Sequence, residues 1–272
     1  MTAPMLEIRD LCVEYSVAGW SMSGSSRRAL AHVSLTVEEG ASVGVVGESG
    51  SGKSTLARAI IGLVRPTGGE IPWDGRRVEA VDRNARSRFH RDVQMVFQDP
   101  HGSLDPRMTA GASVAEAIEA LDGGVDPVTA RSRVAQALES VGLDPDLAGR
   151  YPHQLSGGQC QRVAIARATV VRPRLLVCDE AVSALDVSVQ AQIVNLLAEL
   201  RRRHGLALLF ISHNPAVVHH LCEQLVVLRG GQVVECASLE SLRRSPAEPY
   251  TRALLEAIPV PRPPGLRSPG SD

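Results

Sequence analysis

Apolar residues recur along this chain with two different spacings, and the spacing changes repeatedly from one segment to the next. Residues 5–15 alternate loosely between apolar and polar, and residues 29–37 do so more regularly, which predicts two half-buried β-strands. Between them, residues 18–28 are rich in serine and glycine and predict an exposed loop. Residues 53–64 place leucine and isoleucine at helical spacing, and the helix should end before Arg65-Pro66.

Short apolar strands and amphipathic helices alternate through the rest of the chain. The predicted strands cover residues 41–46, 93–97, 175–178 and 206–211, and a predicted hairpin covers 225–228 and 232–235. The predicted helices cover residues 108–120, 129–141, 159–169, 187–203 and 215–222. Such alternation implies an α/β fold in which a mostly parallel sheet is covered by helices on both faces.

The same pattern predicts how the chain is divided. The β-rich first segment indicates an antiparallel β subdomain, and the helical stretch at about 108–168 indicates an inserted α-helical subdomain. Residues 259–272 are rich in proline, glycine and serine and predict a loose C-terminal tail. We therefore expect one domain over residues 1–258, followed by that tail.

Composition narrows the class of protein. The formal net charge of −1 argues against a general nucleic-acid binder, which would usually be basic. The 5 cysteines include no C-x-x-C pair, which fits a reducing compartment better than a secreted disulfide scaffold. No apolar run approaches the roughly 18 residues of a membrane span, and no signal peptide is visible. If the protein works at a membrane, we expect other chains to supply the membrane spans.

Lys53 is the only lysine in the chain, although 29 residues are lysine or arginine. It lies in the segment Gly-Glu-Ser-Gly-Ser-Gly-Lys-Ser at residues 47–54, which matches the phosphate-binding pattern G-x-x-x-x-G-K-[ST]. The glycines let consecutive N–H groups face inward as an anion nest, and the following helix directs its positive dipole end there. An ammonium on a flexible stem can reach the β- and γ-phosphates, and the hydroxyl of Ser54 is suited to bind Mg²⁺.

Two acids, Asp179 and Glu180, follow the predicted strand at residues 175–178. The carboxyl end of a parallel strand is where ligands bind in open α/β sheets. Taken alone, two acids at this position can equally mark the exit of the strand to solvent. Together with the phosphate loop, they predict that Asp179 holds Mg²⁺ and that Glu180 orients and polarises an attacking water.

The segment Leu-Ser-Gly-Gly-Gln at residues 155–159 resembles the signature of the ATP-binding cassette ATPases. Other elements of that family follow in the family's order: Gln98 resembles the glutamine loop, residues 183–186 resemble the D-loop, and His213 resembles the switch histidine. Tyr15 stands where the family usually has an aromatic residue that stacks on adenine; filling of the β subdomain by this ring is the alternative. The resemblance covers almost the whole chain.

Membership of this family would imply a P-loop NTPase fold with a RecA-like core and a head-to-tail dimer of cassettes, with ATP and Mg²⁺ as cofactors. The resemblance implies Glu180, His213 and Gln98 as catalytic residues, and Ser54, Gln98 and Asp179 around Mg²⁺. The implied ATP-binding residues are Tyr15, Gly47, Glu48, Ser49, Gly50, Ser51, Gly52, Lys53, Ser54 and Thr55. The implied signature residues, which would contact ATP across the dimer, are Leu155, Ser156, Gly157, Gly158 and Gln159. The implied D-loop residues are Ser183, Ala184, Leu185 and Asp186.

Within the family, the chain is similar to the ATPase subunits of oligopeptide, dipeptide and nickel importers. The similarity rests on the Ser/Gly-rich loop after Tyr15, on residues 97–107 and 183–192, and on the segment Glu-Pro-Tyr-Thr-Arg-Ala-Leu-Leu at residues 248–255. It implies a peripheral protein on the cytoplasmic face of the membrane. The implied partners are a second ATPase subunit, identical or different, two transmembrane permease subunits and, indirectly, a solute-binding protein. No cysteine follows Cys236, so we expect no iron–sulfur cluster.

Two positions depart from the family pattern, and rival functions remain open. Ala181 follows the acid where many cassettes have proline, and Cys160 follows the signature where a basic or polar residue is common; Cys160 and Cys178 should pack as small apolar residues. A GTP-binding switch would need a second lysine. An importer ATPase, most simply for peptides, is the main hypothesis, and an ATPase for nickel or another small solute, or a soluble cassette without transport function, are the alternatives.

Overall fold

The computed structural model describes residues 4–17, 25–77 and 83–256. The strands are β1 (Leu6–Val17), β2 (Ser25–Val37), β3 (Ser42–Val46), β4 (Gly68–Glu70), β5 (Pro72–Trp73), β6 (Arg76–Arg77), β7 (Val93–Val96), β8 (Leu175–Asp179), β9 (Ala207–Ile211), β10 (Gln224–Arg229) and β11 (Gln232–Ser238). The helices are α1 (Lys53–Ile60), α2 (Arg83–Asp92), α3 (Ala110–Asp122), α4 (Pro127–Ser140), α5 (Gly157–Thr169), α6 (Val187–His204), α7 (Pro215–Leu221), α8 (Leu239–Arg244) and α9 (Pro249–Glu256). Within these ranges the strands form two sheets.

The larger sheet has the order β11-β10-β3-β9-β8-β7 among the described residues. Its strands pair in parallel from β10 to β7, and only β11 runs antiparallel, as the partner of β10 in a hairpin. The predicted mostly parallel sheet is thereby confirmed. Because the strands run in parallel, the carboxyl ends of β3, β7, β8 and β9 meet at one edge of the sheet.

Strand β8 shows how the core is organised. Leu175 and Val177 pack into one apolar cluster, and Leu176 and Cys178 pack into a second cluster on the opposite face. All four side chains are fully buried, which is why the strand reads as a continuous apolar run rather than an alternation. The first cluster packs the smaller sheet and α1 against one face of the larger sheet. The second cluster packs other helices against the opposite face.

The smaller sheet is antiparallel, as predicted, but it is larger than the sequence indicated. Its strands have the order β2-β1-β5-β6, and β4 pairs with β1. The loop predicted over residues 18–28 is wrong for residues 25–28, which belong to β2; there Arg28 forms an ion pair with Glu14 on β1. Residues 18–24 lie outside the described part of the chain.

Helix α1 ends four residues earlier than predicted, at Ile60. Gly62 adopts a left-handed φ of 80°, and the N–H groups of Leu63 and Val64 both bond to the carbonyl of Arg58. This turn closes the helix before the proline is reached. It also leaves the side chain of Leu63 63% exposed.

The segment between β7 and β8 contains α3, α4 and α5, and no strand in its described residues. Helix α3 is capped by Thr109, whose hydroxyl accepts the N–H of Ala112, and α4 is capped by Asp126, which accepts the N–H groups of Val128 and Thr129. These helices pack on one another and fill the second apolar cluster. The predicted tail over residues 259–272 lies outside the described part of the chain. None of the described helices combines the length and apolar character needed to cross a membrane.

Candidate functional site

A glycine-rich loop over residues 47–52 connects β3 to α1 at the carboxyl edge of the parallel sheet. Two of its glycines are required by close contacts. A Cβ on Gly47 would lie 2.0 Å from the carbonyl oxygen of Leu228, and a Cβ on Gly52 would lie 2.6 Å from that of Ala29. Gly52 also adopts a left-handed φ of 104°. The loop therefore fits tightly against the end of β10 and the middle of β2.

Lys53, the first residue of α1, is folded back into this loop. Its ammonium donates hydrogen bonds to the carbonyl oxygens of Gly47 at 2.9 Å and Glu48 at 2.8 Å. Burial lowers the pKa of Lys53, and the nearby carboxylates of Glu180 and Asp179 oppose this effect. The side chain is 4% exposed, so it is a largely desolvated cation held by two carbonyl groups of the loop.

Ser54 and Asp179 bring two oxygen donors together next to the loop. The hydroxyl of Ser54 donates to Oδ1 of Asp179 over 3.0 Å. Burial raises the pKa of Asp179, the Ser54 hydrogen bond opposes this rise, and the neighbouring Glu180 adds to it. A hydroxyl and a buried carboxylate are hard oxygen ligands of the kind Mg²⁺ prefers, so the residues present fit a magnesium ion.

The carboxylate of Glu180 is the meeting point of the predicted catalytic residues. The amide nitrogen of Gln98, beyond the end of β7, donates to Oε2 of Glu180 over 2.9 Å. Nδ1 of His213, beyond the end of β9, lies 3.3 Å from Oε1. Glu180 itself adopts a left-handed φ of 48°, a strained conformation for a residue with a side chain. One carboxylate thus shares a cavity with the glycine-rich loop and is held by residues that follow the two neighbouring strands.

A cavity of about 520 Å³ opens over the loop. It is lined by predicted residues, namely Tyr15, Ser49, Gly50, Gly52, Lys53, Ser54, Thr55, Gln98 and Glu180. The hydroxyl of Tyr15 lies 3.3 Å from that of Thr55, and the side chain is 40% exposed, so a ring face is available at the cavity mouth. Of the other predicted ATP-binding residues, Gly47 and Ser51 are buried beneath the loop surface and Glu48 lies on its outer side.

Five further residues line the cavity and were missed from the sequence: Arg27, Arg28, Ala29, Gly230 and Gly231. Arg27 lies directly opposite Tyr15 in the β1–β2 pairing, so both reach the cavity mouth. The serine-rich sequence masked this strand. A possible signal was the consecutive arginine pair immediately before the regular alternation of β2.

The predicted signature residues begin helix α5. Ser156 is the N-cap: its hydroxyl accepts the N–H of Gln159 at 3.2 Å, and the Gln159 side chain accepts the N–H of Ser156 at 2.9 Å. A Cβ on Gly158 would lie 2.7 Å from a methyl group of Val189, which fixes the close approach of α6. Leu155 differs from its neighbours, because it is buried at 7% exposure and anchors the segment rather than presenting a side chain to a ligand.

The predicted D-loop residues connect Glu180 to helix α6. The hydroxyl of Ser183 donates to the carbonyl of Glu180 over 3.0 Å. Asp186 caps α6, accepting the N–H of Val189 at 3.0 Å. Leu185 lies close to Gly157, where a Cβ would be 3.6 Å from its side chain. Glu180, the D-loop and the signature are therefore in continuous contact within one chain.

The cysteines near the site are inert by their environment. Burial raises the pKa of both Cys160 and Cys178, which disfavours the reactive thiolate. Cys160 lies 3.7 Å from Nδ1 of His101, a residue that follows Gln98 in the chain. Both cysteines pack in the second apolar cluster, in agreement with the expectation that they behave as small apolar residues.

Comparison with known families identifies one match. Residues 30–183, more than half of the chain, match the model of the family described as ABC transporter. The matched segment runs from β2 through the phosphate loop to the start of the D-loop. It therefore contains the loop, the paired acids and the signature.

Curated relatives extend the match to almost the full length. The chain is 46% identical over 264 residues to the Oligopeptide transport ATP-binding protein OppF of Escherichia coli K12, covering 95% of this chain and 79% of that protein. It is 42% identical over 263 residues to the protein of the same name from Haemophilus influenzae, with the same coverage of 95% and 79%.

Solved structures agree. The dimeric post-hydrolysis state of the ATP-binding cassette MJ0796, bound to ADP and Pi, matches with a TM-score of 0.76 at 32% identity, over 86% of this chain and 99% of that one. The structure of cbiO1 from Clostridium perfringens, part of the ABC transporter complex cbiONQ, matches with a TM-score of 0.74 at 26% identity, over 94% of this chain and 99% of that one.

Proposed function

Since this chain belongs to the ABC transporter family of ATP-binding proteins, we propose that it is the ATP-hydrolysing subunit of a peptide importer. One observation carries the catalytic half of this proposal: Gln98 and His213 converge on the carboxylate of Glu180, beside the Ser54–Asp179 pair and the phosphate loop. The identity of 46% to an oligopeptide transport ATP-binding protein supports the transport half.

Each residue of the site has a role that its position supports. Glu180 accepts the proton of the attacking water, as general base. Gln98 and His213 hold the Glu180 side chain in place, and His213 is positioned to reach the γ-phosphate. The strained backbone of Glu180 fixes the direction of the carboxylate, because the side chain leaves the strand at a constrained angle.

The nucleotide is bound by the loop and the cavity above it. The inward N–H groups of the loop and the ammonium of Lys53 neutralise the phosphates, and Tyr15 offers its ring face to adenine. Ser54 and Asp179 would hold Mg²⁺, with the amide oxygen of Gln98 as a further donor. The ion would supply positive charge to the transferring phosphoryl group. The cavity volume of about 520 Å³ is within the usual range of small-molecule sites.

The active assembly contains two cassettes. The signature helix α5 exposes the N–H groups of Gly157 and Gly158 at its positive dipole end, which is a second anion site on the same chain. A head-to-tail dimer would place this site against the phosphate loop of the partner cassette. The dimeric state of the MJ0796 structures supports this arrangement. Val187, beside the D-loop, is 82% exposed and would be covered in such a dimer.

A second surface supports docking of a permease at the cytoplasmic face of the membrane. A groove of about 520 Å³ lies between the end of α1 and helix α2. Its floor is apolar, from Ile60, Ile71 and Phe89, and its rim carries Arg65 and Arg86. The exposed Leu63 lies in the turn that follows α1. These features fit a short cytoplasmic helix of a permease subunit, with one apolar face and acidic side chains beside it.

The transport half is tested by co-expressing the chain with peptide permease subunits from the same genome. Affinity purification of a permease should retain the wild-type cassette and should lose the Arg86→Glu variant. Arg172→Glu, which reverses a charge outside this groove, is the matched control and should be retained. Uptake of labelled di- and oligopeptides should depend on the cassette. Retention of both variants would contradict the docking surface, and uptake of nickel instead of peptides would contradict the substrate class.

A further inference from the structure

The last described helix, α9, reaches back to the phosphate loop. The hydroxyl oxygen of Tyr250 accepts a hydrogen bond from the backbone N–H of Glu48 at 3.0 Å, although 202 residues separate the two. Tyr250 belongs to the C-terminal segment that identified the importer group, for which the proposed mechanism has no role. The contact therefore joins an unexplained motif to the loop that binds the nucleotide.

Glu48 is held from both sides. On the inner side its carbonyl oxygen accepts a hydrogen bond from Lys53 at 2.8 Å, and on the outer side its N–H is held by Tyr250. Further along the loop, the carbonyl of Ser51 accepts the N–H of Gly231 at 3.0 Å. Because the N–H of Glu48 is engaged by Tyr250, it does not belong to the inward nest. The loop backbone is thus held at two points by residues from elsewhere in the chain, at Glu48 by Tyr250 and at Ser51 by Gly231.

The ring of Tyr250 is itself held in position. The guanidinium carbon of Arg229, at the end of β10, lies 4.8 Å from the ring centroid, in cation–π geometry. The entry to α9 is tied to β11, because the carboxylate of Glu235 accepts the N–H groups of Ala247 at 2.8 Å and Glu248 at 3.2 Å. A rigid support on both sides is what a contact needs if it is to constrain a loop.

The protonation state of Tyr250 is compatible with this contact over the physiological range. Burial raises the pKa of Tyr250, the Glu48 carboxylate raises it further, and the Glu48 N–H and the charge of Arg229 oppose that rise. The phenol therefore remains neutral, with its oxygen free to accept.

We propose that Tyr250 is a positioning residue for the phosphate-binding loop, through which the C-terminal helix sets the affinity for nucleotide. The inference rests on the proposed nucleotide site. The hydroxyl fixes the peptide that enters the loop, so the inward amides are pre-organised before a phosphate arrives. Pre-organisation raises affinity by reducing the ordering that binding requires. Tyr250 does not contact the reacting atoms and is not a catalytic residue.

Tyr250→Phe removes the hydroxyl and keeps the ring on Arg229. Thr251→Val is the matched control for helix packing, since it removes a fully buried hydroxyl from the same helix that lies beside Glu235 rather than beside the loop. With a fluorescent ATP analogue and the full-length chain, we expect Tyr250→Phe to weaken binding about two- to tenfold, the range of one neutral hydrogen bond. Thr251→Val should leave the affinity unchanged, even if the melting temperature falls.

Hydrogen–deuterium exchange provides a readout that a purely structural role would not change. In Tyr250→Phe the amides of residues 46–52 should exchange faster, while those of α9 should keep the wild-type rate. Equal affinity and equal exchange in Tyr250→Phe and wild type would overturn the inference alone. Equal losses of affinity in both variants would also overturn it, because helix packing would then explain them. No nucleotide binding by the wild type would overturn the proposed function and this inference together.

Discussion

The side chain of Gln98 donates a hydrogen bond to the carboxylate of Glu180 over 2.9 Å, across 82 residues of sequence. The two residues follow adjacent strands, β7 and β8, whose carboxyl ends lie side by side. Gln98 also begins the segment that leads into the helical subdomain, and His101 in this segment touches Cys160 of the signature helix. A change at Gln98 can therefore reach Glu180, the proposed general base, directly, and the predicted signature through packing.

Replacing Gln98 by glutamate tests this relationship. Gln98→Glu would place a second carboxylate within hydrogen-bond distance of Glu180, and two neighbouring carboxylates resist simultaneous ionisation. The base would then be protonated at a higher pH than in the wild type. We expect the acidic limb of the kcat–pH profile to move up by about one pH unit or more. Gln98→Leu is the control, which should lower kcat without moving the limb; identical profiles for both variants would contradict the interpretation.

Lys53→Arg tests whether the lone lysine is required by its shape. The ammonium fits between two loop carbonyls in a pocket that leaves it 4% exposed, and a planar guanidinium is larger and has a fixed fork. We expect ATP affinity to fall at least about tenfold, as for the loss of a charge-assisted hydrogen bond. Arg201→Lys, the reverse exchange away from the site, is the control. Calorimetric titration with ATP measures both, and wild-type affinity in Lys53→Arg would refute the requirement.

Asp179→Asn separates function from stability. The folded-state pKa of Asp179 is raised above the ordinary value of 3.8, so at neutral pH the ionised side chain destabilises the fold. Because the folded pKa is the higher of the two, protonated Asp179 contributes stability below the unfolded pKa. This contribution is lost as the pH rises through the folded pKa. We expect the variant to lose Mg²⁺-dependent turnover and to melt above wild type at neutral pH.

Thermal melts as a function of pH check this prediction. The difference in melting temperature should be full near neutral pH and should narrow as the pH falls through the folded pKa towards 3.8. A melting temperature below that of wild type at neutral pH would show that the Asp179 carboxylate stabilises the protein without metal.

The sequence predicted the parallel sheet well for a physical reason. Strands such as β8 and β9 are buried on both faces, so their apolar runs are unambiguous, and the helices between them carry clear caps or apolar spacing. The phosphate loop was equally clear in the sequence. Its glycine pattern is required by the fold, since a side chain at Gly47 or Gly52 would collide with neighbouring backbone.

The smaller elements could not be found in the same way. Strands β5 and β6 have two residues each, too few for any periodicity to appear. Helix α2 is dominated by arginine, and only Phe89 among its described side chains is fully buried, so its apolar stripe is too narrow to recognise. β5 and α2 complete the first apolar cluster through Trp73 and Phe89, and β6 pairs with β5. These contacts are a property of the assembled fold.

The site was predicted as a set of residues but not as a geometry. Spacing could not show that Gln98 and His213 meet on one carboxylate, because that depends on the order of β7, β8 and β9 in the sheet. The contact between Tyr250 and Glu48 is even harder to predict from the sequence, since it joins the loop to the last described helix across 202 residues. Arg27 was missed for a local reason, because the serine-rich sequence around it resembles a loop although it belongs to β2.

The central claim is that Glu180 is the general base of an ATPase, and Glu180→Gln tests it most directly. Glutamine keeps the size of the side chain and can still contact Gln98 and His213, but it cannot accept the proton of water. In the assembled transporter, we predict ATP binding within about twofold of wild type and a fall in phosphate release of about a hundredfold or more, the usual contribution of a general base. Phosphate release at the wild-type rate, with ATP binding intact, would contradict the account.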